Sequence, residues 1–271
     1  MEMVKDFKKA VVNIRQEFKN YIVKSNLKSV VLGLSGGIDS ALCAALAYDV
    51  CKELNISLIG RSIAIETNKP DENLRGKLIG EAFTTDYKHV DLTDAYLNLR
   101  PNVVENIENE DLTDFSFRLR MGNVKARMRM IYLYELAGKN KGMVLSTDNL
   151  TELLLGFWTL HGDVGDYGMI QQLWKTEVYQ MAEYIAKNES NSEQKEALMS
   201  CVDAIPTDGL GITNSDLDQL QAKSYYEVDE ILISYLHENK KEFENHPVIQ
   251  RHLRSEFKRN NPFNISREIY F

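Results

Sequence analysis

Apolar positions along this chain recur with two different periods. Val4, Phe7, Val11, Ile14, Phe18 and Tyr21 fall three or four residues apart. That spacing gathers side chains on one helical face, so residues 1–25 are expected to open the chain as an amphipathic helix. The runs VVLGL and LIGRSIAI (58–65) are instead continuously apolar and of strand length, as buried strands are; HVDL (89–92) and MVLST (143–147) are shorter candidates. Between them lie ALCAALAYDVCKEL, ENLRGKLIGEAF and VKARMRMIYLYELAG, each with helical patterning. Strands alternating with helices predict an α/β fold with a doubly wound parallel sheet flanked by helices. The chain of 271 residues suits a single domain over 1–271. Further on, KTEVYQMAEYIAK reads as helix and NESNSEQKE as loop. DGLGITNSDLDQLQ places a mobile or inserted loop within 207–224.

The first predicted strand runs through SGGIDS straight into a predicted helix. Gly36 and Gly37 allow a sharp turn that brings backbone N–H groups to a ligand, and the helix start adds partial positive charge. Such a cradle suits phosphate. A Walker loop would carry a lysine where this one carries Asp39. A carboxylate facing phosphate is repelled unless a cation lies between, so Asp39 reads as a Mg²⁺ ligand, with Ser35 and Ser40 supplying hydroxyl donors. A plain strand-to-helix turn capped by Asp39 or Ser40 is the alternative; the full S-G-G-x-D-S string in this context favours the ligand site.

Composition narrows the classes. A formal charge of -8 lacks the basic footprint of nucleic-acid binders, although a few converging cations can still receive an anionic substrate. Cys43, Cys51 and Cys201 form no metal or redox pattern and read as reduced thiols, and His89, His161, His237, His246 and His252 have no ligand spacing and read as surface residues. No apolar run approaches the roughly 20 residues of a membrane span, and MEMVKDFKKAVV has no secretory apolar core. A cytoplasmic protein is expected.

SGGIDS resembles the signature loop of the ATP pyrophosphatases, which cleave ATP between its α- and β-phosphates. MGNVKARMRMIYLY (121–134), STDNLTELLLGFWTLHGDVGD (146–166), LWKTEVY (173–179), IPTDGLG (205–211) and SEFKRNNP (255–262) are similar, in order and spacing, to ammonia-dependent NAD synthetase. The resemblance implies a Rossmann-like sheet, and it implies roles by position. Gly33, Leu34, Ser35, Gly36, Gly37, Ile38, Asp39 and Ser40 would bind ATP phosphates. Arg61, leaving the second strand, and Thr147, Lys175 and Thr207 would also contact ATP. Asp39 and Glu152 would hold Mg²⁺, and with Lys175 they would form the catalytic set. Arg127, Asp166, Phe257 and Lys258 would meet deamido-NAD. Taken alone, Asn149 followed by Glu152 is equally a helix-capping pattern, and Arg127 sits in a basic run of the kind that is usually solvated.

Two positions depart from the family. Leu160 replaces the lysine of G-F-x-T-K, and Phe257 replaces a histidine, both at positions that touch the acid substrate. The implied reaction is amidation of deamido-NAD through an acyl-adenylate, with AMP and pyrophosphate as products. Free ammonia is the expected nitrogen source, since no glutaminase signature surrounds any cysteine, with a separate glutaminase subunit as the other route. A homodimer is implied, with the opening helix able either to serve that interface or to pack on its own core. The competing readings are another ATP pyrophosphatase acting on a different acid, and a non-catalytic ATP sensor, which would not need Glu152 or Lys175.

Overall fold

A computed structural model describes residues 3–66, 69–204, 217 and 220–270. Five strands form one all-parallel sheet: β1 (Ser29–Gly33), β2 (Ser57–Ala64), β3 (Asp86–Asp91), β4 (Gly142–Ser146) and β5 (Tyr167–Gly168), in the order β3-β2-β1-β4-β5. The order reverses between β1 and β4, and in open α/β sheets ligands bind beyond the carboxyl ends of the strands at such a point. In register, Val30 lies beside Leu58 and Met143, so the apolar runs that predicted the strands pair with one another.

Period-two alternation sends each strand to two cores. Val30, Leu32, Leu58, Met143 and Leu145 join the core under α1 (Phe7–Ser25), α2 (Ile38–Glu53) and α7 (Lys175–Asn188). Val31, Ile59, Ile63 and Val144 point the other way, to α4 (Thr93–Val103) and α5 (Phe115–Lys139). Both faces are covered, which is why the strands read as unbroken apolar runs. Helix α1 buries Val11, Phe18 and Ile22 in its own chain's core and leaves Val12, Tyr21 and Val23 exposed on its other side. A further core lies apart from these two. Helix α6 (Leu150–Leu155), Trp174 and the helices Tyr225–Leu236 and Pro247–Arg254 pack around Leu155, Val228 and Ile249.

Several expectations need correction. Helix α5 begins at Phe115, well before the predicted Val124, capped by the Asp114 side chain. NESNSEQKE is loop only as far as Asn191. There Asn191 and Gln194 cap each other's backbone and start α8 (Ser192–Val202), a reciprocal cap hidden inside a polar stretch. His252 is buried, with Nδ1 2.8 Å from the Leu154 carbonyl, so it is not a surface histidine. The predicted loop 207–224 lies mostly outside the described residues. All three cysteines are free and buried. Among the described residues no helix is long and apolar enough to cross a membrane.

Candidate active site

At the switch point the turn from β1 to α2 forms one wall of a cavity of about 530 Å³, lined by all of residues 33–40. Gly36 has φ +81°, and a Cβ there would stand 2.2 Å from the Glu72 carbonyl oxygen of α3 (Pro70–Phe83), so only glycine fits this close crossing. Arg75 Nε donates to the Gly36 carbonyl at 2.8 Å, which brings a guanidinium against the turn. Gly37 is the cap of α2 and offers no side-chain acceptor, which leaves the first N–H groups of a buried helix free of a side-chain cap beside the cavity. Ser35 Oγ and Ser40 Oγ lie 3.2 Å apart, and Ser35 Oγ also accepts from the Gly37 N–H at 3.2 Å.

Opposite the turn, α6 and α7 each bring one ionisable residue to Asp39. Asn149 caps α6, accepting from the Glu152 N–H at 3.0 Å, and its Nδ2 donates to Asp39 Oδ1 at 2.8 Å. The capping pattern is present, and it leaves the Glu152 carboxylate facing Lys175. Lys175 Nζ donates to Glu152 Oε1 at 3.0 Å and to Asp39 Oδ2, and lies 5.3 Å from the centre of the Tyr225 ring. Burial alone would lower the Lys175 pKa, but Asp39 and then Glu152 outweigh it and hold the amine firmly cationic. Burial pushes the Glu152 carboxyl upward, Asp39 adds to this, and Lys175 opposes it.

Among the described residues no three His, Cys, Asp or Glu side chains form a metal cage. A magnesium ion does not need one. It is commonly held by one or two carboxylates together with substrate phosphates. Asp39 and Glu152 both reach the single point now taken by Lys175 Nζ, so the donor set fits a cation completed by a nucleotide's oxygens.

The remaining wall comes from the segment after α6. Gly156, at φ +65°, ends that helix, and Lys258 Nζ donates to the Gly156 carbonyl at 2.7 Å and to the Trp158 carbonyl. Asp163 accepts from the Thr159 N–H at 2.8 Å. Burial, then the Asp148 carboxylate, push Asp163 up to about 7. Burial likewise raises Asp148 to about 6, against the hydrogen bond from Ser146. Arg75, Arg129, Asp148 and Asp163 all line the cavity, and the sequence reading gave none of them a role. Arg129, Asp148 and Asp163 lie in quoted motifs, as the second arginine of GNVKARMRM, the aspartate of STDN and the final residue of GFWTLHGD; Arg75 lies in none.

Thr147, Glu152, Lys175 and Lys258 line the cavity. Arg61 does too, with a correction: it lies within β2, not beyond it, and its Nη2 donates to Asp86 Oδ2 at 2.8 Å. That guanidinium holds the Asp86 carboxyl below the usual range. Among the described residues, Arg127, Asp166 and Phe257 stand outside the cavity lining. Arg127 is exposed and donates to the Leu160 carbonyl at 3.1 Å. Asp166 accepts from the Tyr134 hydroxyl at 2.8 Å and from the Val144 N–H at 2.9 Å, securing the start of β5 against β4. Phe257 is 63% exposed. Thr207 lies outside the described residues.

The NAD synthase family model matches residues 10–262. An NH(3)-dependent NAD(+) synthetase from Thermoplasma acidophilum is 33% identical over 246 residues, 89% of this chain and 91% of that protein. Another from Fusobacterium nucleatum is 30% identical over 253 residues, covering 92% and 90%. Two solved structures share the fold. An NMN synthetase from Francisella tularensis has a TM-score of 0.78 at 22% identity, over 97% of this chain and 100% of its own. An NH3-dependent NAD synthetase from Campylobacter jejuni has a TM-score of 0.70 at 23% identity, over 96% and 100%.

Proposed function

From the premise that this chain belongs to the NAD synthase family, we propose that it is the enzyme that amidates deamido-NAD to NAD with ATP and ammonia. The observation that carries the proposal is the meeting of Asp39, Glu152 and Lys175, from three separate elements, beside the glycine turn at the switch point. The nicotinate carboxylate attacks the α-phosphorus of ATP. The bond from that phosphorus to the bridging oxygen breaks, pyrophosphate leaves, and an acyl-adenylate forms. Ammonia then attacks the acyl carbon and AMP departs with the carboxylate oxygen, leaving the amide and, after loss of a proton, NAD.

The turn from Gly33 to Ser40 holds the two outer phosphates as one leaving unit, which explains a phosphate loop with no lysine of its own. Lys175 supplies the missing cation from across the cavity and offsets charge growing on pyrophosphate. Asp39 and Glu152 would hold Mg²⁺, which supplies Lewis-acid neutralisation of the same oxygens. Arg61, Thr147 and Thr207 complete the ATP contacts. Lys258, by the Gly156–Trp158 segment, is where the acid enters, and Arg127, Asp166 and Phe257 lie on the outer surface it extends across. Arg127, Ile131 and Tyr134 form one stripe of α5, with Ile131 70% exposed. A homodimer closing over that stripe would cover both the apolar side chain and the outer substrate contacts. The enzyme works in the cytoplasm on free ammonia.

Incubation with radiolabelled ATP, Mg²⁺, ammonium and deamido-NAD is expected to release AMP and pyrophosphate in step with NAD. Formation of ADP and orthophosphate would end this reading. Release with nicotinate mononucleotide and not with the dinucleotide would place the acid specificity elsewhere, at Leu160 and Phe257.

A further inference from the structure

The start of a helix leaves its first backbone N–H groups without acceptors from the same helix. In α7 these groups belong to Lys175 and its successors, and the cap residue, Trp174, has an indole that accepts nothing. The acceptors come from two other elements. The Lys175 N–H donates to Thr151 Oγ1 at 2.9 Å, and the Thr176 N–H donates to Asp229 Oδ2 at 3.0 Å. Asp229 also takes the Thr176 hydroxyl at 2.8 Å and the Thr151 hydroxyl at 2.6 Å. One carboxylate on the helix Tyr225–Leu236 thus ties the first turn of α6 to the first turn of α7. All the groups involved are buried, Thr151 at 0% and Asp229 at 2% exposure.

The place of this knot matters more than its existence. Thr151 directly precedes Glu152, and Thr176 directly follows Lys175. The same helix also seats Tyr225 beneath the Lys175 ammonium, one turn before Asp229. Burial pushes the Asp229 carboxyl upward, and the bonds from Thr151 and Thr176 oppose that cost. A charge kept in such a place at a helix start also favours the α7 dipole.

We infer that Asp229 is a positioning residue: through Thr151 and Thr176 it fixes the separation of Glu152 from Lys175, and so the alignment of both with Asp39. The inference rests on the amidation reading for its kinetic consequence alone. The experiment compares Asp229→Asn with Val228→Ala, which opens a cavity in the same helix and reports plain loss of stability. Asp229→Asn is expected to lower kcat for pyrophosphate release about 10–100-fold, as misalignment does. The KM for ATP should stay within about twofold. Exchange of the Lys175 and Thr176 amide hydrogens should quicken about tenfold. Val228→Ala, matched in melting temperature, is expected to leave kcat and those two amides unchanged. Equal losses in the two variants, or an unchanged kcat in Asp229→Asn, overturn the inference. Should Asp229→Asn not fold, Thr176→Val carries the test by deleting one hydroxyl donor, with a smaller fall in kcat and the same amide readout expected; no change in either overturns it. If the wild type forms no AMP, the amidation reading fails, while the amide exchange still decides whether Asp229 holds the knot.

Discussion

The two sides of the cavity are built differently. The phosphate side rests on the ends of β1 and β4 and the starts of α2, α6 and α7, and its groups are tied to one another, Asn149 to Asp39 and Lys175 to both carboxylates, with Asn149 and Lys175 buried and the two carboxylates half-buried. The acid side is assembled from a segment after α6 and from the final helices. Its expected residues point to main-chain carbonyls, to a strand edge, or to solvent. The contrast teaches where this fold places rigidity. A leaving group common to every turnover meets preorganised charge, which works best when it need not reorganise. A long substrate extending outward would meet an adaptable rim, which carries Leu160 and the exposed Phe257.

The sharpest way to break this comparison is at Asp39. Asp39→Asn is expected to lower adenylation about 10²–10³-fold, read as pyrophosphate release, with the fold intact by circular dichroism. Near-normal turnover at saturating Mg²⁺ would remove Asp39 from the metal site. Gly36→Ala should come next, because its Cβ meets the Glu72 carbonyl and its φ is unfavourable. Loss of more than about 1 kcal/mol in denaturant unfolding is expected, together with a raised KM for ATP. A normal KM would mean that the turn is not the phosphate clasp.

A smaller effect concerns pH. Asp163 titrates at about 7 in the folded chain, against about 3.9 unfolded. The folded state therefore holds the proton more tightly, so this group's contribution to stability is present at acid pH and is lost as pH rises from about 4 to 7. Asp163→Asn removes that dependence. Its melting temperature relative to wild type is expected to climb across this window and level off above it. A constant difference would refute the shift. Smallest of all, Leu160→Lys should lower the KM for deamido-NAD a few-fold, about the effect of one exposed charge pair. An unchanged KM would show that the rim does not use a cation at this position.

Much of the architecture was legible because it depends on nearby residues. Continuous apolar runs marked the strands, and SGGIDS marked the turn, since both need particular residues at adjacent positions. What escaped was cooperative. The start of α5 at Phe115 depended on an Asp114 cap in a segment of weak periodicity, and α8 was hidden by a polar first turn that caps itself. Arg75 gained a role only from the walls that surround it, whereas Asp163 closed a quoted motif and was given no role there. Asp166 was placed by motif position, whereas the structure employs it at the β4–β5 junction.

Sequence alone determined that a glycine turn would follow the first buried strand and that its charge would be a carboxylate, because turns and strand cores are written in consecutive residues. Only the tertiary structure decided which cation answers that carboxylate. Lys175 stands 136 positions from Asp39 in the chain, and the acceptors for its helix start come from Thr151 and Asp229. Hydrogen bonds act over a few ångströms of space, so such partnerships exist only after packing has brought distant helices together.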